Sequence, residues 1–404
     1  MTDATDTDRR PRIRLRPGRH KRAAAGHPWV FSNEIEMDAA ARALPAGGIV
    51  DLLRADGGAL ATAYFNPHTL IAARILAEET GVPVDADFLA ARLHSALALR
   101  ETLFDTPHYR LVHAEADGLP GLIVDRYGDT VVLQANTAGM QSLTDMLVAT
   151  LEQVLPGIKI VLKNDAPARR LEGLDDDVRV LRGEPASPLP LVENGLTFYA
   201  DPLSGQKTGW FYDHRANRAY AAALARRLNG PRVLDCYAYA GGFAVACAAA
   251  GAAEVLAVDR SEAALALAER AAAANDVGDR CRFRRGEAFA TLTELTEAGT
   301  QFDLVIADPP AFAKARRDIK PALKGYRKLT RLAAAAVAPG GFLILASCSH
   351  HVDGNALLEA AGRGLRDAGR AARVLRRAGA DADHPVHPRL PESAYLKTLV
   401  IQLD

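Results

Sequence analysis

The sequence is poor in cysteine, and its four cysteines, Cys236, Cys247, Cys281 and Cys348, are scattered with no C-x-x-C pair among them. A disulfide framework or a zinc module needs cysteines at close, repeated spacings, so neither is expected; reduced thiols in a cytosolic protein are. Long apolar runs are missing too. The longest nearly unbroken one, 238–253, is mostly Ala and Gly and falls short of the ~18 residues that a membrane-spanning helix needs. The opening MTDATDTDRR is acidic and polar without an apolar core, so no secretory signal is expected. Net charge is also absent: 49 basic side chains face 49 acidic ones, which neither demands nor excludes a nucleic-acid partner. There is no internal repeat.

What is present is an ordinary soluble composition, 49% hydrophobic and 24% charged, spread over 404 residues. That length exceeds what one hydrophobic core usually serves, so two or three domains are expected. Charge is uneven locally. RRPRIRLRPGRHKR, residues 9–22, carries eight Arg or Lys and no acid, which suits either a solvated arm or a nucleic-acid contact. Residues 11–77 hold short alternating runs broken by Gly pairs and Asn-Pro, a β-rich pattern. Residues 78–190 offer a helix over 86–104, a hairpin in GLIVDRYGDTVVLQ, a helix over 139–155 and a strand KIVLKN, then a Pro/Ser-rich linker, GEPASPLP at 183–190. From 191 onward a strand pair leads into a helix from about 213, and apolar strands then alternate with helices to the final YLKTLVIQL. Continuous apolar strands in strict alternation with helices predict a doubly wound α/β domain, which binds ligands beyond the carboxyl ends of its strands.

Those strand ends carry unusual residues. DCYAYAGGF, 235–243, places Gly241 and Gly242 where backbone can approach a ligand, yet lacks both the G-x-G-x-x-G spacing and the Gly-Lys-Ser/Thr of a phosphate cradle. It carries Asp235 instead. A carboxylate there repels pyrophosphate but suits a cationic cofactor such as S-adenosylmethionine. Asp259 ends the second strand, placed to accept from ribose hydroxyls, and Glu287 follows the third, placed for an adenine amine. The fourth ends in IADPPAF, where two prolines stiffen the turn beside Asp308 and Phe312 offers a stacking face. The order of these features points to a methyltransferase.

Cys348 closes the fifth strand in LASCSHH and is expected to face the same pocket as Asp308. Methylating pyrimidine carbon 5 needs such a thiol, because thiolate addition at carbon 6 breaks aromaticity and makes carbon 5 nucleophilic. His350, His351 and Lys207 are candidates for lowering the thiol pKa. The other three cysteines read as structural, and zinc binding through Cys348, His350 and His351 fits no usual ligand spacing.

With these residues in place, the chain resembles, over nearly its whole length, the bacterial 23S rRNA cytosine-C5 methyltransferases of the RlmI kind. RPGRHKRAAAGHPWVFSNEI and ALATAYFNPHTLIAARIL resemble that family's N-terminal PUA domain, a small RNA-binding β-barrel. YRLVHAEADGLPGLIVDRYGD resembles its central domain, and NGLTFYADPLSGQKTGWFYDHRANR the segment leading into its catalytic domain. The resemblance implies a class I, Rossmann-like α/β methyltransferase domain over 191–404, a PUA domain over 1–77 and a central α+β domain over 78–190. It implies that Gln206, Lys207, Thr208, Gly209, Phe211, Tyr212, Asp213 and Arg215 wall the cleft. Asp235, Tyr237, Ala238, Gly241, Gly242, Asp259, Arg260, Glu287, Ala288, Asp308 and Pro309 would meet S-adenosylmethionine, and Cys348 would be the nucleophile. Asp is more usual at position 287. No second cysteine follows Asp308, where some RNA cytosine-C5 methyltransferases carry one, so the group that takes the carbon-5 proton stays open, with Asp308 the candidate offered.

Ribosomal RNA of the large subunit is the implied partner. Arg12, Arg14, Arg16, Arg19, Lys21 and Arg22 would neutralise phosphates, while Trp29 and Phe31 either stack on bases or fill the barrel core. The target base must leave its stack, which favours a loop or an incompletely assembled particle over a closed duplex. Two other readings keep the same residues: a base-nitrogen methyltransferase that grips an amine with Asp-Pro-Pro, and an RNA-binding factor whose methyltransferase domain is inert. The oligomeric state is left open, a homodimer included.

Overall fold

The computed structural model describes residues 10–205, 208–313 and 315–404. By contact density the chain forms two units, the first holding 1–186, 202–208 and 385–393, and the second 187–201, 209–384 and 394–404. Gln206 and Lys207, both expected at the cleft, lie outside the described residues.

The first unit contains two five-stranded sheets. One, of half-barrel form, is ordered Arg12–Arg14, Gly48–Leu53, Ala59–Phe65, Ile71–Ala77 and Trp29–Phe31 around a core that includes Leu15, Ile35, Leu52 and Phe65. The other runs from Asp177–Arg182 through Lys159–Asn164, Thr130–Ala135 and Leu122–Tyr127 to His108–His113, backed by the helices Ala86–Leu103 and Thr144–Val154. The predicted hairpin is there, antiparallel from Leu122↔Ala135 to Tyr127↔Thr130. The helix expected over 139–155 is two, Ala138–Ser142 and Thr144–Val154, with a break at Leu143. Ser142 and Thr144 hydroxyls donate back to the carbonyls of Gly139 and Met140, an alternative to the regular helical ladder. Gly139 is required there, because a Cβ would lie 2.2 Å from the Tyr64 ring. The strand Asp177–Arg182 escaped the sequence reading because it is largely exposed and polar.

A fully buried Arg100 anchors this unit. It bonds both Asp117 carboxylate oxygens at 2.5 and 2.8 Å and the Arg110 carbonyl at 2.9 Å.

In the second unit the hairpin Leu189–Glu193/Leu196–Ala200 precedes a seven-stranded sheet. Its strands are β1 (Arg232–Cys236), β2 (Glu254–Asp259), β3 (Cys281–Arg285), β4 (Phe302–Ala307), β5 (Val337–Ser347), β6 (Ala372–Ala378) and β7 (Lys397–Leu403). The order is β3-β2-β1-β4-β5-β7-β6. The first five are parallel, and β7 runs antiparallel to both neighbours. Around them lie α1 (Arg215–Leu228), α2 (Gly242–Ala249), α3 (Glu262–Ala274), α4 (Ala288–Glu297), α5 (Ile319–Ala335) and α6 (Gly354–Asp367). The edge strand β6 was not anticipated, since its exposed, arginine-rich ARVLRRA lacks the apolar run of its neighbours. Buried Glu193 accepts from Arg218 at 2.5 and 2.8 Å and from the Trp210 indole at 3.0 Å, tying the hairpin to α1. Among the described residues no helix is long and apolar enough to cross a membrane.

Arg100→Ala leaves the Asp117 carboxylate buried without its cation, a change that costs about 3–5 kcal/mol. A urea unfolding midpoint equal to that of the parent chain would contradict this role.

Candidate active site

Parallel pairing puts five strand ends on one edge of the sheet. Cys236 is in register with Val258 and Ala307, and Ala307 with Leu345, so the residues that follow each strand gather there. The loop after β1 is wound tightly: Tyr237, Tyr239 and Gly241 have φ of 65°, 48° and 77°. Left-handed backbone at two tyrosines is strained and persists only where surroundings enforce it. Here Asp259 Oδ2 accepts the Tyr239 amide at 2.9 Å, Asp235 Oδ2 accepts the Ala244 amide at 3.0 Å, and the Tyr239 hydroxyl donates to the Gly209 carbonyl at 2.9 Å. Phe211 meets the Tyr239 ring edge-on at 5.0 Å.

Packing within the chain already restricts both glycines: a Cβ on Gly241 would lie 2.7 Å from Ala268 Cβ, and one on Gly242 2.8 Å from Arg218. Glu287 is an exposed helix cap, its carboxylate accepting the Ala290 amide at 2.9 Å. Asp213 accepts the Tyr395 hydroxyl at 2.6 Å, and Arg215 lies 3.6 Å from Asp381 and 3.8 Å from Asp383. Tyr212, Ala238, Ala288 and Pro309 are buried, and Arg260 is exposed beyond β2. Thr208 belongs to the first unit, where its carbonyl accepts the Tyr127 hydroxyl at 3.1 Å.

Asp308 has a partner that sequence reasoning missed. Buried His214 places Nε2 3.2 Å from Asp308 Oδ2. Burial works against its charged form, yet the Asp308 carboxylate, through charge and hydrogen bond, holds its pKa above the ordinary value. Its only sequence signal was its place between Asp213 and Arg215. Phe312, expected as a stacking face, is half-buried and packs on Tyr326 at 4.7 Å and Phe289 at 6.3 Å.

Cys348 is partly exposed, whereas the other three thiols are buried. Burial pushes those three up, Cys281 to about 11. Flanking Ser347 and Ser349 are fully buried, and both hydroxyls bond the Tyr326 hydroxyl of α5, at 2.8 and 3.0 Å. Ser349 also accepts the Ala313 amide at 3.3 Å, which joins the thiol loop to the loop after Asp308. Of the cations proposed beside the thiol, His350 stacks on Tyr395 at 5.3 Å, while Lys397, not foreseen, places its ammonium 2.6 Å from the Ser349 carbonyl.

The donor set fits S-adenosylmethionine. Asp235, Asp259 and Asp308 crowd one edge that lacks a phosphate cradle, and the Tyr237 hydroxyl is buried there without a partner. Burial, then the nearby Asp308 and Asp259 charges, push Asp235 up to about 8. A cationic ligand relieves that crowding. Asp235, Asp259, Tyr237 and Asp308 are the residues that would hold it.

The strand order and this edge define a class I methyltransferase fold. A family model for S-adenosylmethionine-dependent methyltransferases matches residues 143–401, and one for a PUA-like domain matches 13–78. The chain is 36% identical to the Ribosomal RNA large subunit methyltransferase I of Shewanella denitrificans, over 97% of this chain and 99% of that one. It is also 36% identical to that of Aeromonas hydrophila, over 96% and 98%. The chain belongs to the ribosomal RNA large subunit methyltransferase I family of S-adenosylmethionine-dependent enzymes. Solved structures of the same fold include a SAM-dependent methyltransferase from Streptococcus mutans (TM-score 0.82, 20% identity, 97% of this chain and 100% of that one). Another was solved with SAH (TM-score 0.83, 21% identity, 97% and 100%).

Asp235 binds its proton more tightly folded than unfolded, so its contribution to stability is full below the ordinary carboxylate value near 4 and is lost as pH rises. In Asp235→Asn, unfolding midpoints measured without cofactor decline less between about pH 4 and about pH 8 than in the parent chain. Parallel curves would show that Asp235 is not held protonated.

Proposed function

We propose that this chain methylates carbon 5 of a cytosine in large-subunit ribosomal RNA, with Cys348 as the covalent nucleophile. The observation that carries the reading is the thiol's place: it is the partly exposed cysteine, one strand over from Asp308 on the cofactor edge. The relatives, ribosomal RNA large subunit methyltransferases by name, support the ribosomal substrate. The division into an RNA-binding 1–77, a central 78–190 and a catalytic 191–404 belongs to the same reading.

When bound, S-adenosylmethionine supplies an electrophilic methyl group. Cys348, as thiolate, forms a bond to carbon 6, and the C5=C6 π pair moves toward carbon 5 and the ring nitrogen, making carbon 5 the nucleophile. Once carbon 5 carries the methyl group, the Asp308 carboxylate takes its proton. The C5–H pair restores C5=C6, and the C6–S pair leaves with sulfur. His214, hydrogen-bonded to Asp308 Oδ2, holds that carboxylate while its other oxygen works. The Tyr326–Ser347–Ser349 bonds hold the thiol loop against α5.

RNA docking falls to the exposed face of the first strand. Arg12 and Arg14 alternate with buried Ile13 and Leu15, and Arg16, Arg19 and Lys21 continue the exposed strip. Arg22 is engaged within the chain, by Glu34 at 2.8 Å and over the Phe31 ring at 4.4 Å. Trp29 donates to Glu115 at 2.7 Å.

RNA bearing 5-azacytidine is expected to form a stable adduct mapped to Cys348, and Cys348→Ala to lose methyl transfer while still binding S-adenosylmethionine in calorimetry. Near-normal turnover of that variant would favour the base-nitrogen reading. The double variant Arg12→Glu/Arg14→Glu is expected to bind RNA more weakly for all sequences, with the log–log salt slope reduced by roughly 0.7–0.9 per lost phosphate contact. An unchanged slope would remove this face from the interface.

A further inference from the structure

The thiol loop is built onto a lysine from the neighbouring antiparallel strand. Ser347, at the end of β5, is in register with Lys397, the first residue of β7. Directly opposed residues of an antiparallel pair share a face, so the Lys397 side chain runs alongside Ser347 toward the loop that follows. Its Nζ donates to the Ser349 carbonyl at 2.6 Å and to the Tyr395 carbonyl at 2.7 Å. Ser349 directly follows Cys348.

Those two carbonyls engage two of the three ammonium donors and leave the charge without a counter-ion. Among the described residues, no carboxylate lies within ion-pair distance of Lys397. Among the described residues, the titratable groups on the elements around the thiol include Tyr326 from α5, whose hydroxyl is held by Ser347 and Ser349, His350 and His351 on the loop itself, and Asp353 at the start of α6. Asp353 is occupied in capping that helix, accepting the Asn355 and Ala356 amides at 2.8 and 2.9 Å. Burial lowers the Lys397 pKa, and Cys348 and then Asp353 act the other way, so the ammonium and the thiol feel each other's charge.

We propose that Lys397 is the positioning cation for Cys348: anchored on the Ser349 carbonyl, its ammonium favours the thiolate form of the neighbouring sulfur at neutral pH. The assignment rests on Cys348 being the reacting thiol. A lysine beside a cysteine lowers the thiol pKa by stabilising the anion, and an ammonium pinned by two carbonyls cannot swing away when the thiol loses its proton. Nothing in the role requires Lys397 to touch the pyrimidine.

The test is the pH-dependence of iodoacetamide alkylation at Cys348, followed by mass spectrometry in the full-length protein without RNA. The parent chain is expected to titrate below the ordinary thiol value of about 8.5. Lys397→Gln keeps a donor for the carbonyls but removes the charge, and is expected to shift the midpoint up by about one unit, roughly tenfold less thiolate at neutral pH. Lys397→Arg is expected to keep the parent midpoint. A parent midpoint at or above about 8.5 overturns the proposal without any variant. So do equal midpoints in the parent and Lys397→Gln, which would leave Lys397 as a backbone staple alone. Trapping with 5-azacytidine RNA separates this from the covalent reading. An adduct at Cys348 with an unmoved midpoint sinks the cation and keeps the nucleophile; a moved midpoint with no adduct does the reverse.

Discussion

The hydroxyl of Tyr326 bonds two serines on either side of Cys348, and both serines are fully buried. A buried hydroxyl left without a partner costs about 1–3 kcal/mol, so this three-oxygen cluster tolerates few arrangements. It ties the end of β5 to α5, and through Ser349 and the Ala313 amide it ties the same loop to the one after Asp308. A partly exposed thiol on a loose loop would sample many directions. Held on both flanks, this one has few, and the chemistry assigned to the edge depends on that restriction.

Electrostatics shape the same edge in two halves. On one side Asp235, Asp259 and Asp308 gather at one place, where burial and then the neighbouring charges push Asp235 up to about 8. On the other side His214 faces Asp308 and Lys397 faces the thiol loop. Such an edge is matched to a cationic donor, and it suits the proposed reaction, which would make and discharge anions on sulfur and carbon. The strained Tyr237–Gly241 loop follows β1 on this edge, its left-handed conformation supported by Asp259 and the Gly209 carbonyl.

Much of this architecture was legible before any coordinates. Apolar runs at RVLDCYA, EVLAVD, FDLVIAD and GFLILAS mark strands buried on both faces, and the acids at their ends follow from the polar edge of a parallel sheet. The strands Asp177–Arg182 and Ala372–Ala378 were not legible, because exposed edge strands carry arginines where buried ones carry apolar runs. The single helix read over 139–155 broke at Leu143, where Ser142 and Thr144 offer the backbone other partners. Gly241 and Gly242 were singled out for ligand approach, and the fold adds a packing reason that the sequence did not reveal: their missing side chains make room for Ala268 and Arg218. Phe312 was read as a possible stacking face; its packing on Tyr326 was not legible from the sequence.

The sequence by itself determined the α/β alternation, the family, and which acids and which thiol close the strands, because each of these is a local matter of hydrophobic period and neighbouring residues. Only the tertiary structure decided which partners those groups receive. His214 meets Asp308 because α1 packs on α2, whose Phe243 meets the His214 ring edge-on at 5.5 Å, and Lys397 reaches the thiol loop because β7 enters antiparallel next to β5. Such pairings depend on strand order and register across distant segments of chain, and no spacing within one segment encodes them.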